Sequence, residues 1–154
     1  MAKKDDYEIL VAQVEGLIEM EPNHIATLGN VSAAIKQFLP ESVFAGFYLY
    51  NGEELVLAPF QGSVSCTRIA LGKGVCGESA EKNETIIVDD VTKRENYIQC
   101  DSAAMSEIVV PMYAGQKLVG VLDLDAPRTA AYDDSDKEYL EQVAKLLTDK
   151  LEWK

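Results

Sequence analysis

Two short hairpins, each written in alternating side chains, constrain this chain more than any other feature. From Val43 to Tyr50 the residues alternate. Val43, Ala45, Phe47 and Leu49 fall on one face of an extended strand, and Phe44, Gly46, Tyr48 and Tyr50 on the other. Asn51-Gly52 follows, the dipeptide favoured in two-residue hairpin turns, and Leu55 to Phe60 returns as the next strand. Glu107 to Met112 and Lys117 to Asp125 form a second hairpin around Ala114-Gly115-Gln116. Adjacent hairpins of this kind call for an antiparallel sheet.

Helical periodicity frames the hairpins. Leu10, Val14, Leu17 and Ile18 line one side of a helix over Tyr7 to Met20, which Glu21-Pro22-Asn23 breaks. Ile25, Leu28, Val31, Ile35 and Leu39 line a second, which Pro40 stops. A terminal helix starts near Asp133-Asp134-Ser135-Asp136 and buries Leu140, Val143, Leu147 and Leu151. Between the hairpins, the turn Leu71-Gly72-Lys73-Gly74 feeds a short helix over Val75 to Glu81, and Ile86 to Val88 is a brief strand. A long polar loop then runs from Asp89 to Ser106. Loops of that length in compact domains are usually functional or disordered. The order predicts an α+β fold, an antiparallel sheet with the terminal helices on one face. At 154 residues, without repeats or linkers, the chain is sized for one domain over residues 1–154.

The formal net charge of −12 argues against nucleic acid or an anionic membrane as partner, because phosphates need a basic patch. It suits a cationic or zwitterionic ligand held by local carboxylates. No segment approaches the roughly 20 apolar residues of a membrane span. Met1 to Asp6 have no apolar signal core behind them, so the expected compartment is the cytoplasm. Three cysteines fit poorly with a secreted disulfide scaffold.

The chemistry concentrates in carboxylates and thiols. In Leu122-Asp123-Leu124-Asp125 the period of two puts both acids on one face, together with Val119 and Val121. A three-residue connection would place Glu107 directly opposite Asp123, whereas a two-residue turn would move it to the other face. The three-residue connection is the one expected. Three clustered carboxylates repel, so at least one should hold a proton near neutrality and serve as acid or cation binder. The plainer alternative is two acids fraying out near Pro127.

Cys76, in Gly74-Val75-Cys76-Gly77, opens a short helix whose free N–H groups favour a thiolate. Cys66 precedes a strand, and Cys100 sits in the long loop beside Asp101, which disfavours a thiolate. Acidity thus favours Cys76 as nucleophile and access favours Cys100. There is no Cys-x-x-Cys pair, and the one histidine, His24, lies in an early helix. No metal site is therefore expected.

Taken in order, Phe60-Gln61-Gly62, Cys66-Thr67-Arg68-Ile69, Gly72-Lys73-Gly74-Val75-Cys76-Gly77, Cys100-Asp101-Ser102, Ser106-Glu107-Ile108-Val109-Val110-Pro111 and Gly120-Val121-Leu122-Asp123-Leu124-Asp125 form a recognisable set. It resembles the free methionine-(R)-sulfoxide reductases, single-domain GAF proteins, over nearly the whole chain. The three-cysteine, three-carboxylate pattern is specific within the GAF group.

The resemblance implies a six-stranded antiparallel sheet with flanking helices, a homodimer, no cofactor, and reduction of free methionine-(R)-sulfoxide with thioredoxin as reductant. It implies Cys100 as nucleophile and Cys66 as resolving partner. Cys76 matches a third cysteine given either role, and which of the two resolves stays open. Glu107, Asp123 and Asp125 match the pocket carboxylates, and Tyr48 a pocket tyrosine. Phe44 stands where the family commonly carries tryptophan, which implies a looser wall at the methyl end. Ala104-Met105 replaces residues that are often more polar.

The reaction needs an attacking thiol, a resolving thiol and a carboxyl that stays protonated. A free amino acid adds an ammonium for a carboxylate to bind. Its carboxylate needs donors, for which the backbone N–H groups from Asp101 through Ser102 and Ala103 to Ala104 are the candidates, with Arg68 the alternative. The rival reading is a GAF ligand-binding or redox-sensing module without turnover.

Overall fold

The computed structural model describes residues 2–153, with side chains from Lys4 onward. Helices α1 (Ala2–Met20) and α2 (His24–Phe38) lead into strands β1 (Phe44–Tyr50), β2 (Glu54–Gly62) and β3 (Arg68–Ala70). Helix α3 (Gly74–Lys82), strand β4 (Ile86–Val88) and a single 3-10 turn (Val91–Lys93) follow. Strands β5 (Ser106–Ala114) and β6 (Lys117–Ala126) and helix α4 (Asp134–Lys150) complete the order.

Local chemistry sets the helix starts. The Asn23 side chain accepts the Ala26 N–H at 3.0 Å and so caps α2. Asp133 and Asp136 form a reciprocal capping box at the start of α4, where the acidic run was noted. Asp136 is fully buried and accepts a hydrogen bond from the Tyr7 hydroxyl at 2.5 Å, which ties α4 to α1.

The sheet order is β3-β2-β1-β6-β5-β4, with every neighbouring pair antiparallel. The two hairpins meet along β1 and β6. The first turn differs from the Asn51-Gly52 expectation. Tyr50 pairs with Leu55, and the Asn51 N–H donates to the Glu54 carbonyl, so the reversal falls one residue later. The Asn51 side chain accepts from the N–H groups of Glu53 and Glu54 instead of occupying the turn's centre.

The sheet carries different layers on its two faces. Tyr7, Leu10, Leu28, Ile35, Leu140, Val143 and Leu147 of α1, α2 and α4 pack on Ala45, Phe47, Ile108, Leu122 and Leu124. The opposite face bears Phe44, Tyr48, Val109 and Val121 and is covered by Val75, Cys76 and Ala80 of α3. This is the α+β arrangement read from the sequence, with one small helix alone on the second face. Gly77 lets α3 sit close, since a Cβ there would lie 2.4 Å from the Ala70 carbonyl oxygen. Among the described residues, no helix is long and apolar enough to cross a membrane.

Candidate active site

The carboxylates come together by a route that differs from the expected one. Ala114 pairs with Lys117, so the β5–β6 turn has two residues, with Gly115 in the left-handed region at φ 64°. That turn alone would send Glu107 to the far face. A bulge restores it, because Met112 pairs with Gly120 while Tyr113 pairs with Leu118, leaving Val119 as the extra residue. Glu107 is therefore opposite Asp125, and Asp123 is opposite Val109. The same bulge turns Val119 onto the helix-covered face, away from Val121 and the acids.

All three carboxylates are buried, Glu107 at 6%, Asp123 at 4% and Asp125 at 8% exposure. They do not fray into solvent near Pro127. Loss of hydration pushes each one up first, and mutual repulsion adds to it. Asp123 is pushed up to about 8, by burial and then by the charge of Asp125. Glu107 is raised well above the carboxylate range by burial and then by Asp123, and Asp125 by burial and then by Glu107. The cluster is thus a proton reservoir at neutral pH.

Two thiols are joined. Cys66, in the β2–β3 loop, and Cys100, in the loop before β5, form a disulfide with Cα atoms 5.2 Å apart. Cys76 is free and buried, its Sγ directed at Glu107 Oε2 at 4.0 Å. Its thiol is pushed up, chiefly by burial and then by Asp123 and Glu107. This corrects the expectation from the helix start that Cys76 is the more acidic thiol. Burial among carboxylates outweighs the helix N-terminus.

Hydrogen bonds hold the loops over the cluster. The Tyr48 hydroxyl donates to the Cys66 carbonyl at 2.9 Å and pairs with the Ser65 hydroxyl at 3.0 Å, fixing the Cys66 loop on β1. Asn96 links the second loop to α3. Its Oδ1 accepts the Gly74 N–H at 2.8 Å, and its Nδ2 donates to the Gly72 carbonyl and to Glu78, each at 3.1 Å. Arg94 donates to the same Glu78 at 2.6 Å. The Asn96 amide leads the interactions that hold Glu78 below the usual carboxylate range.

These elements enclose a cavity of about 20 Å3 lined by Tyr48, Cys76, Cys100, Asp101, Glu107, Asp123 and Asp125. Its walls also include Lys73 and Tyr97, which sequence reasoning passed over. Burial first, then Glu107 and the neighbouring carboxylates, raise the Tyr97 phenol and keep it neutral. Its position three residues before Cys100 was the available signal.

Not every expected residue reaches the cavity. Phe44 pairs with Asp125 across β1 and β6 but stays outside the lining, its buried ring stacked on Phe60 at 5.0 Å between centroids. Ser102 and Ala103 are exposed and outside the lining. The Ala103 and Ala104 N–H groups are spent on the Asp101 side chain and carbonyl, at 2.9 and 3.1 Å. The turn therefore presents an Asp101 carboxylate where free donors were expected. Arg68 lies on the edge strand, paired with Glu54 at 3.2 Å. Cys66 enters through its bond to Cys100.

Comparison with known proteins agrees with this geometry. The GAF domain family matches residues 26–152. The GAF domain-containing protein A of Dictyostelium discoideum is 47% identical over 147 residues, covering 95% of this chain and 92% of that protein. The free methionine-R-sulfoxide reductase of Saccharomyces cerevisiae is 41% identical over 153 residues, covering 94% of this chain and 85% of that protein. The free methionine-R-sulfoxide reductase of Neisseria meningitidis, solved in complex with its substrate, superposes with a TM-score of 0.90. It is 40% identical and covers 94% of this chain and 87% of its own.

Proposed function

This chain belongs to the GAF domain family, among its free methionine-R-sulfoxide reductases, and from that premise we propose the reaction and the residues that perform it. The substrate is free methionine-(R)-sulfoxide. A buried carboxyl of the Glu107, Asp123 and Asp125 cluster gives a proton to the sulfoxide oxygen. The Cys100 thiolate attacks the sulfur, the substrate's S–O bond breaks as its oxygen passes to the Cys100 sulfur, and methionine leaves with Cys100 as a sulfenic acid. The Cys66 thiol condenses with that sulfenic acid, releasing water and forming the disulfide. An external dithiol, which we assign to thioredoxin, regenerates both thiols by exchange. The sulfoxide is reduced by two electrons, and the two thiols supply them.

The observation that supports this reading is the Cys66–Cys100 disulfide beside three buried carboxyls, whose burial and mutual repulsion favour the protonated form. In this form the cavity of about 20 Å3 is too small for an amino acid, as expected after product has left. A carboxylate freed by proton transfer binds the substrate's ammonium, which selects free methionine over a peptide. Cys76, buried at the cluster, is assigned a place in the pocket and not the attack. We further propose that the protein is a single GAF domain working as a homodimer in the cytoplasm, repairing oxidised free methionine.

Single turnover tests the scheme. Fully reduced protein mixed with free methionine-(R)-sulfoxide should form one methionine per chain and lose two thiols, and Cys100→Ser should form none. Equal product from Cys100→Ser would end the assignment.

A further inference from the structure

Cys76 Sγ and one carboxylate oxygen each of Glu107 and Asp123 lie within 4.8 Å of one another, all buried. A tetrahedral zinc site holds sulfur at about 2.3 Å and carboxylate oxygen at roughly 2.0–2.2 Å, so its ligand atoms stand roughly 3.3–3.7 Å apart. The trio's limit of 4.8 Å exceeds that spacing by about 1 Å.

Two independent observations point to a ligand here. Asp123 is only 4% exposed, it lines the cavity, and its Oδ1 has no hydrogen-bond partner. Such an orphaned buried acceptor is uncommon. The cavity itself, at about 20 Å3, suits one water-sized body, for which about 10–15 Å3 suffices. It admits an ion where it excludes an amino acid. The donor set mixes one thiol with carboxylates, which favours zinc or cadmium over magnesium or calcium, both of which want oxygen alone. The ligands come from α3, β5 and β6, so no local cysteine or histidine spacing announces them.

We propose that the disulfide form binds one zinc-class divalent cation on Cys76, Glu107 and Asp123, with Asp125 beside it. Binding forms a metal–sulfur bond and two metal–oxygen bonds, and sends the thiol proton and any carboxyl proton to solvent. No electron is transferred. The ion occupies the carboxylates that the substrate's ammonium is assigned under the proposed function, and on that reading ion and substrate cannot be bound together.

Cadmium provides a direct probe on the intact oxidised chain. With Cys66 and Cys100 joined, Cys76 is the one free thiol of the three cysteines, so a thiolate-to-cadmium absorption band has a single source. Titration should develop that band to one equivalent per chain. Zinc should displace cadmium, and magnesium in large excess should not. Cys76→Ser should abolish the band, and Asp123→Asn should weaken cadmium binding at least about tenfold. Glu107→Gln should weaken it similarly and serves if Asp123→Asn fails to fold. Absence of a band in the wild-type protein, or unchanged affinity in a folded Asp123→Asn or Glu107→Gln variant, overturns the site. A band without sulfoxide turnover leaves the metal site standing and removes the reductase assignment, and turnover without a band does the reverse.

Discussion

Glu107 and Asp125 stand directly opposite one another across β5 and β6, both buried in the sheet face beneath Cys76. Glu107 pushes the Asp125 carboxyl up, while a hydrogen bond from Asp125 favours the charged form of Glu107. Burial and this coupling favour a proton held on the pair.

That proton makes stability depend on pH in an unusual direction. A carboxyl raised in the folded state holds a proton that the unfolded chain has released. Stability then falls as pH rises between the ordinary carboxylate range and the folded value, about 8 for Asp123. The slope is up to about 1.4 kcal/mol per pH unit for each such proton. With a chelator present, the Tm should fall from roughly pH 5 to pH 8, and Asp123→Asn should flatten the profile. A wild-type Tm that rises across that window contradicts the buried, protonated cluster.

Reduction should loosen the molecule. The Cys66–Cys100 bond closes a loop with a sequence separation of 34. In the chain-entropy treatment a loop of that length is worth roughly 4 kcal/mol. Dithiothreitol should lower the Tm of the wild-type chain and leave that of Cys66→Ser unchanged. Equal shifts in both proteins would show that the effect does not come from this bond.

Tyr48→Phe removes the hydroxyl that holds the Cys66 loop on β1. Under the proposed function, attack by Cys100 does not use that tether, but resolution by Cys66 does. The first methionine should form at an undiminished rate in a rapid-quench experiment, while disulfide formation and steady-state turnover fall. An equal loss in both phases would place Tyr48 in the first chemical step.

Asn96 is partly buried and positions the Cys100 loop from a distance. Its hydrogen bonds to Gly74, Gly72 and Glu78 span the loop and the start of α3. A displacement of about 1 Å at a reacting group can cost as much as a hundredfold in rate. Asn96→Ala should lower kcat by one to two orders of magnitude, with a Tm drop of only a few degrees. A large loss of stability at unchanged kcat would make Asn96 purely structural.

The sequence was legible where side chains alternate or repeat at helical spacing. Leu122-Asp123-Leu124-Asp125 reads as a strand with two acids on one face, and α4 announces itself through Asp133 and the Leu140 stripe. Register was harder to read. The two-residue turn at Gly115 and the bulge at Val119 cancel, so Glu107 reaches the acid face without the three-residue turn that sequence alone suggested. Nothing in the residue pattern marks that bulge, because Val119 suits either face. The acidity of Cys76 was misread because a helix start is a local feature, whereas burial beneath Asp123 and Glu107 depends on three distant segments. Asn96 was invisible for the same reason.

The central claim is free-amino-acid sulfoxide reduction governed by the buried carboxylates. Its most direct test is NADPH consumption with thioredoxin and thioredoxin reductase, supplied in turn with free methionine-(R)-sulfoxide, its S epimer and a peptide-bound sulfoxide. Turnover on the free R epimer alone is the predicted result. No turnover on any of the three by folded, fully reduced protein would contradict the claim, and would favour a GAF module that senses a ligand or redox state without catalysis.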